Sequence, residues 1–364
     1  MKQSLAYFIA LILGGLAVLL KINPEIVLQL PNGFIAYAIL GHHPPAHFCY
    51  DAWKKEEFDG WAKDGDLIVS VGGKCGTNWL LYMSHLIRIK GDVDTHPLVD
   101  VNVNCPWPTL RHQPGMEWPE IKEKMFNGTI RSKDGRQVAM RTYWDHEDYP
   151  FRIFKSHEEP EDAGRRSSAV LPVRRRRGVK FLAAVRSPFD QLRSIYPFFK
   201  NHDPAFRRMW GDFPPVYDTK EQLFDDFMDG GPLAHLVWDY PRTWFAYKDE
   251  PNVLVFRFEK MLKDPERHVR ELAAFLEVEL TDTQIERIVF LSSFAEMKKV
   301  DDRFDYLLWA HRTNKERRIM QTGTLLRSGK KGEGKIFFDE EERTVIQDHI
   351  DRHFPRELRD WMGV

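Results

Sequence analysis

Cysteine is scarce in this 364-residue chain, which has only Cys49, Cys75 and Cys105. A set so small and odd in number excludes a disulfide scaffold. There is no CxxC and no HExxH, so zinc chemistry lacks a motif and no metal is expected. Charge of one sign is lacking as well. Lys and Arg number 53 against 54 Asp and Glu, a formal net charge of −1. Such a balance excludes a general polyanion binder and argues against a nucleic-acid partner. Any affinity for phosphate has to come from local placement. Repeats of solenoid or propeller period are absent. Core material is plentiful: 43% of residues are hydrophobic and 13% aromatic, which excludes a chain disordered throughout.

Long hydrophobic runs occur only near the amino end. Leu5 to Leu20 is an uncharged run of 16 residues closed by Lys21. Crossing a bilayer takes about 20 residues, or about 17 at the short end, and Ser4 with a snorkelling Lys21 can extend the run. A cleaved signal peptide competes with this reading, although no A-x-A site follows, as does an ordinary buried helix. Ile26 to Leu40 is broken by Gln29, Pro31, Asn32 and Gly33 and reads as an interfacial or hairpin segment. Residues 1–40 are therefore expected to form a single-pass membrane anchor of the signal-anchor type with its juxtamembrane segment. Lys2 and the terminal amine tilt the body weakly toward a lumen, with a cytosolic placement left open. The sequon Asn127-Gly-Thr129 is usable only on a lumenal face.

Gly41 to Pro45 (GHHPP) reads as a linker. After it, short β-branched runs alternate with amphipathic stretches, the pattern of βα units on a mainly parallel sheet. Strands are expected at 66–71, 151–154, 179–185 and 252–258, and helices at 77–89, 188–199, 265–276, 281–291 and 339–352. Segments 91–150 and 200–220 are rich in Pro, Trp and Tyr and read as loops. Two strands run into helices through concentrated polar chemistry, at Gly72–Asn78 and at Arg186–Ser194. Ligands of open α/β sheets sit at the carboxyl ends of strands, and helix N-termini favour anions. Two such sites imply a ligand with two separated phosphate groups. The first is not a Walker A loop, because Lys74 precedes the second glycine, and no Walker B aspartate is evident.

At these residues the chain resembles a known family, the soluble small-molecule branch of the sulfotransferases that use 3′-phosphoadenosine 5′-phosphosulfate (PAPS). Gly72-Gly-Lys-Cys-Gly-Thr-Asn-Trp79 is similar to YPKSGTTW, and Lys155-Ser-His157 to KTH. Arg186-Ser-Pro-Phe-Asp-Gln-Leu-Arg-Ser194 is similar to RNPxDxxxS, and Phe258-Glu-Lys-Met261 to FYEDM with one letter displaced. Ser292-Ser-Phe-Ala-Glu-Met297 and Arg327-Ser-Gly-Lys-Lys-Gly-Glu-Gly-Lys335 are similar to TSFxxM and RKGxxGDWK. The six follow the family's order across roughly residues 66–338.

The resemblance implies an α/β, P-loop-kinase-like sulfotransferase fold, a mainly parallel sheet flanked by helices, over residues 41–364. It implies sulfuryl transfer from PAPS to a hydroxyl or amine by in-line displacement, releasing 3′-phosphoadenosine 5′-phosphate (PAP). His157 would be the general base, with Lys155 and Lys74 stabilising charge on the departing bridge. Two residues apart on a strand, Lys155 and His157 are expected to project to one side. Lys74, Cys75, Gly76, Thr77, Asn78 and Trp79 would form the phosphosulfate loop. Arg186, Ser194, Arg327, Ser328 and Gly329 would belong to the 3′-phosphate, and Trp79, Phe258, Ser292 and Phe294 to the adenine. The chain departs from the pattern at Gly73, Cys75, Ser328 and Gly334, the last in place of a tryptophan.

Trp107, Trp118, Tyr143, Trp144, Phe198, Phe199, Trp210 and Phe213 lie in the aromatic loops and suggest an apolar acceptor pocket. A phenol, sterol or lipid alcohol fits it, and a carbohydrate stays open. A small-molecule kinase of related fold and a non-catalytic membrane-anchored binding protein are the alternatives. Arg174–Arg177, beside Arg165 and Arg166, reads as a solvated loop rather than a lipid or nucleic-acid site. His42, His43 and His47 lack partners for a metal.

Overall fold

The computed structural model describes residues 48–364 apart from 113–114, 132–135, 163–166, 205–206, 208–213, 232, 305–306, 310–315 and 319–324, together with Gly14, Gly15 and Val18. Four short runs pair in parallel as one sheet. They are β1 (Leu67–Ser70), β2 (Ile153–Ser156), β3 (Lys180–Val185) and β4 (Val253–Arg257), in the order β2-β1-β3-β4. β1 is inside the sheet and buried along its length, so it needs apolar side chains on both faces, which Leu-Ile-Val supplies. Successive residues feed two cores. Leu67 and Val69 pack with Leu182, Ala184 and Phe256, whereas Ile68 packs with Phe154, Phe181, Trp61 and Trp244.

The flanking helices include α1 (Thr77–Arg88), α2 (Pro188–Lys200), α3 (Pro265–Phe275), α4 (Asp282–Leu291), α5 (Glu333–Phe337) and α6 (Glu340–His353). Five of the six lie where periodicity placed them, and local chemistry explains their starts. Pro188 occupies the first turn of α2, where a missing N–H costs nothing. Thr281 caps α4 by accepting the Gln284 N–H at 3.3 Å, and Gln284 returns the favour to the Thr281 N–H at 2.9 Å. A third core joins α2 to α6 through Phe189, Leu192, Ile346 and Ile350.

Several expectations need correction. The strand placed at 151–154 runs from Ile153 to Ser156, which draws Lys155 into the sheet opposite Val69. Segment 91–150 is not all loop: Trp118–Asn127 is a helix opened by a Glu117–Glu120 capping box. Its buried Trp118, Ile121 and Met125 fall at helical spacing. Trp118 and Trp144 are core residues, with Tyr143 packed against the same core, and none of the three lines an acceptor pocket. The arginine block is half-exposed but paired: Arg174 and Arg177 bond Glu250 at 2.7 and 3.0 Å, and Arg176 bonds Asp59 at 2.8 Å. Arg165, Arg166, His42, His43, His47, Trp210 and Phe213 lie outside the described residues.

The single-pass anchor, and the localisation built on it, are withdrawn. Among the described residues no helix is long and apolar enough to cross a membrane. All of segment 1–40 except Gly14, Gly15 and Val18 lies outside those residues.

Asp66 and Arg152 enter β1 and β2 side by side and clamp them. Arg152 Nε reaches Asp66 Oδ1 at 2.7 Å, and Nη2 donates to the Trp61 carbonyl at 2.9 Å, all of it buried. Removing one member of such a pair strands the other charge in the interior. Asp66→Ala is accordingly expected to lower unfolding free energy by about 3–5 kcal/mol in urea titration, with Arg152→Leu, Asp66→Leu together costing less.

Candidate active site

β1 ends at Ser70, and the chain turns through Gly72–Gly76 into α1. Two residues of this turn sit in the left-handed region, Lys74 at φ 65° and Gly76 at φ 101°. Gly76 has a second reason to be glycine, since a Cβ there would stand 3.0 Å from the Phe258 ring. Lys74 is a strained non-glycine residue at the head of a helix N-terminus, an arrangement that clusters at ligand sites. Its ammonium lies over the Phe198 ring, 4.2 Å from the centroid. Cys75 turns inward instead, with Sγ 3.7 Å from the Gly73 carbonyl. Burial pushes its thiol up to about 12, so it is inert.

At the tip of β3, Arg186 spans two loops. One arm donates to the Lys74 carbonyl at 3.1 Å, the other to the Lys330 carbonyl at 3.1 Å, and the guanidinium covers the Phe258 ring at 4.3 Å. Asp190, on the first turn of α2, accepts the Gly332 N–H at 2.7 Å and the Gly334 N–H at 2.8 Å. This docks the last loop on α2. Gly334 is forced here: a Cβ would lie 2.2 Å from the Phe189 carbonyl. The departure from the family's tryptophan is thus a backbone requirement. Arg327 and Ser328 both hydrogen-bond Glu333.

Beyond β2, His157 bonds the Val71 carbonyl through Nδ1 at 2.5 Å. A carbonyl can only accept, so Nδ1 carries the proton and Nε2 is left bare. Burial, then Lys155 and Lys74, hold the imidazole down to about 3, so it is neutral across the physiological range. The Trp107 ring meets it edge-on at 4.9 Å. Lys155 itself is fully buried, with its ammonium 4.2 Å from the Trp107 centroid.

One cavity of about 460 Å³ joins these parts. Fourteen of the sixteen residues named from the resemblance border it: the loop members Lys74, Gly76, Thr77, Asn78 and Trp79; His157, Arg186, Ser194 and Phe258; and Ser292, Phe294, Arg327, Ser328 and Gly329. Cys75 and Lys155 do not. Cys75 faces the core, and Lys155 lies in the sheet with its Nζ against the Trp107 ring that also meets His157. Trp107, Phe198 and Phe199 also line the cavity, as the aromatic loops suggested. Phe48, Tyr50, Leu110, His202 and Leu236 line it without having been singled out. Ile195 was also missed, although its place one residue after Ser194 and one turn before Phe198 was a readable signal. Phe48 and Tyr50 precede the first strand, where no motif marks them.

Residues 64–361 match the family described as Sulfotransferase domain. The chain belongs to the sulfotransferase family. It is a PAPS-dependent enzyme, which displaces the kinase and non-catalytic readings. The sulfotransferase is 27% identical to amine sulfotransferase of Oryctolagus cuniculus over 309 residues, covering 85% of each chain. Identity to sulfotransferase 1C2 of Homo sapiens is 25% over 253 residues, 68% of this chain and 71% of that one. Its fold is similar to a retinol dehydratase solved with androsterone and the inactive cofactor PAP, with TM-score 0.57 and 17% identity over 84% and 85% of the two chains. Mouse sulfotransferase SULT7A1, solved with PAP, gives 0.53 and 18% over 83% and 90%.

The charge of the sulfotransferase cavity fits such a donor. Lys74, Arg186 and Arg327 border it together, and Lys74 is driven down to about 7 by burial and then by those two arginines. An anion among them relieves the repulsion and restores the Lys74 proton. Above the phosphate titration near pH 6, PAP affinity is therefore expected to fall as pH rises from about 7 to about 9, with proton uptake on binding. Calorimetry in buffers of different ionisation enthalpy measures this. A flat profile, or one that persists in Lys74→Arg, would remove Lys74 from the anion site.

Proposed function

We propose that this sulfotransferase sulfates small, largely apolar acceptors at a hydroxyl or amine, with His157 as general base. The observation that carries the reading is the His157–Val71 bond: it leaves Nε2 bare on a histidine that lines the same cavity as the phosphate-type loop. PAPS supplies the sulfuryl group and leaves as PAP.

His157 Nε2 takes the acceptor proton as the new bond to sulfur forms and the bond from sulfur to the phosphate oxygen breaks. Lys74 meets the charge that gathers on that phosphate. Lys155 acts on the same charge from within the sheet, with its Nζ 4.2 Å from the Trp107 centroid. Arg186, Ser194 and Arg327, with Ser328 and Gly329, hold the 3′-phosphate. The edge-to-face pair Trp79–Phe258, with ring centres 5.9 Å apart, faces the adenine with Phe294 and Ser292. The catalytic domain is taken as 41–364.

Phe48, Tyr50, Trp107, Leu110 and Phe198 form the wall for the acceptor. Aromatic faces and few polar groups favour flat or polycyclic alcohols, phenols and hydrophobic amines. The names of the amine and 3-beta-hydroxysteroid sulfotransferases among its relatives support these classes. The test is a screen with labelled PAPS against 2-naphthol, androsterone, retinol and a hydrophobic amine, with wild type beside His157→Ala. Loss of about 10²–10⁴ in kcat with PAP affinity kept is expected of a general base. Equal turnover by the mutant would remove His157 from the mechanism.

A further inference from the structure

Directly after the base the chain buries a carboxylate. Glu158 is 2% exposed and lies at the cavity edge, and neutral donors hold it. Thr109 Oγ1 donates to Oε1 at 2.5 Å, the His157 N–H donates to Oε2 at 2.9 Å, and the Ser156 hydroxyl also donates to Oε2. The Glu158 carbonyl accepts from Ser70 Oγ at 2.6 Å, and that hydroxyl meets Tyr240 at 3.0 Å. Burying a carboxylate costs several kcal/mol unless its lone pairs are filled, and here each oxygen has a donor. Burial still pushes the group's pKa up against these donors.

Thr109 gives this network its reach. Its carbonyl accepts the Cys49 N–H at 2.8 Å, and the next residue, Leu110, bridges to Phe48. The Phe48 ring lies 5.2 Å from Trp107 and 6.3 Å from Tyr50. Four wall residues thus hang on one pair of segments. Besides the Trp107 contacts with Lys155 and His157, hydrogen bonds tie those segments to the base strand, among them the backbone bond from the Lys155 N–H to the Pro106 carbonyl at 2.8 Å and the Thr109–Glu158 bond.

We infer that Glu158 is a positioning residue that sets the acceptor wall at a fixed distance from His157. It touches neither sulfur nor acceptor and works through Thr109 on one side and the His157 backbone on the other. The inference rests on the reading of His157 as base and of the aromatic wall as the acceptor site.

The test measures KM and kcat for 2-naphthol, and PAP affinity by calorimetry, in Thr109→Val, Glu158→Gln and Glu158→Leu. Thr109→Val removes only the hydroxyl and preserves volume. Glu158→Gln still accepts from the His157 N–H, and the Thr109 hydroxyl can turn to accept from its amide. Glu158→Leu can do neither. Thr109→Val and Glu158→Leu are each expected to raise acceptor KM about ten-fold, the size of one lost hydrogen bond to a charged group, with PAP affinity within about two-fold of wild type. Glu158→Gln should stay near wild type, and the Thr109→Val, Glu158→Leu double mutant should be no worse than Glu158→Leu alone.

An unchanged acceptor KM in Thr109→Val, additive effects in the double mutant, or matched losses of PAP and acceptor affinity would overturn the inference. Wild type that binds PAP yet sulfates neither 2-naphthol nor any other acceptor in the screen would sink the proposed reaction first, and this inference with it.

Discussion

A single guanidinium organises this site. Arg186 bonds the carbonyl of Lys74, 112 residues before it, and that of Lys330, 144 residues after it. The phosphate-type loop, the tip of β3 and the glycine-rich last loop meet only through such contacts, because none adjoins another in sequence. Asp190 completes the arrangement by gathering two N–H groups of the last loop onto α2. The sheet's strand order, with β1 between β2 and β3, brings the loop after β1, His157 after β2 and Arg186 after β3 to one edge. The topology places the chemistry, and the arginine ties it together.

This construction has an energetic cost. Lys74 sits strained and depressed to about 7, its ammonium held over Phe198 with two arginines nearby. The unfolded chain binds more protons than the folded one between that value and the ordinary 10.5, so the empty protein gains stability as pH rises across that window. Aromatic rings moderate the cost. Phe198 under Lys74, Trp107 beside Lys155 and Phe258 under Arg186 each give a buried basic group a π-face. The same rings line the cavity, so residues that hold the cations also shape the space for ligand.

Much of this was legible in the sequence because it depends on local rules. Short β-branched runs predicted the four strands, and amphipathic stretches placed five helices to within a residue or two. The loop motifs carried fourteen residues of the cavity border, since each motif is a contiguous string readable within one segment. What was missed depends on contacts distant in the chain. Lys155 falls inside β2, past the strand end expected at 154, and packs on Trp107 without bordering the cavity. The Trp118 helix was hidden by a Trp-Pro start that looked like loop. Phe48, Tyr50 and Leu110 join the cavity only because Thr109 and Cys49 pair across 60 residues. No spacing rule within one segment reports such a meeting.

Gly334 shows how such packing limits what the chain can become. α5 lies so close to the start of α2 that a single carbon at 334 would enter the Phe189 carbonyl. A larger residue there would first require residues 189 and 190 to move, which would release the two N–H groups Asp190 gathers. Position 334 is therefore closed to any side chain unless the backbone it abuts gives way at the same time.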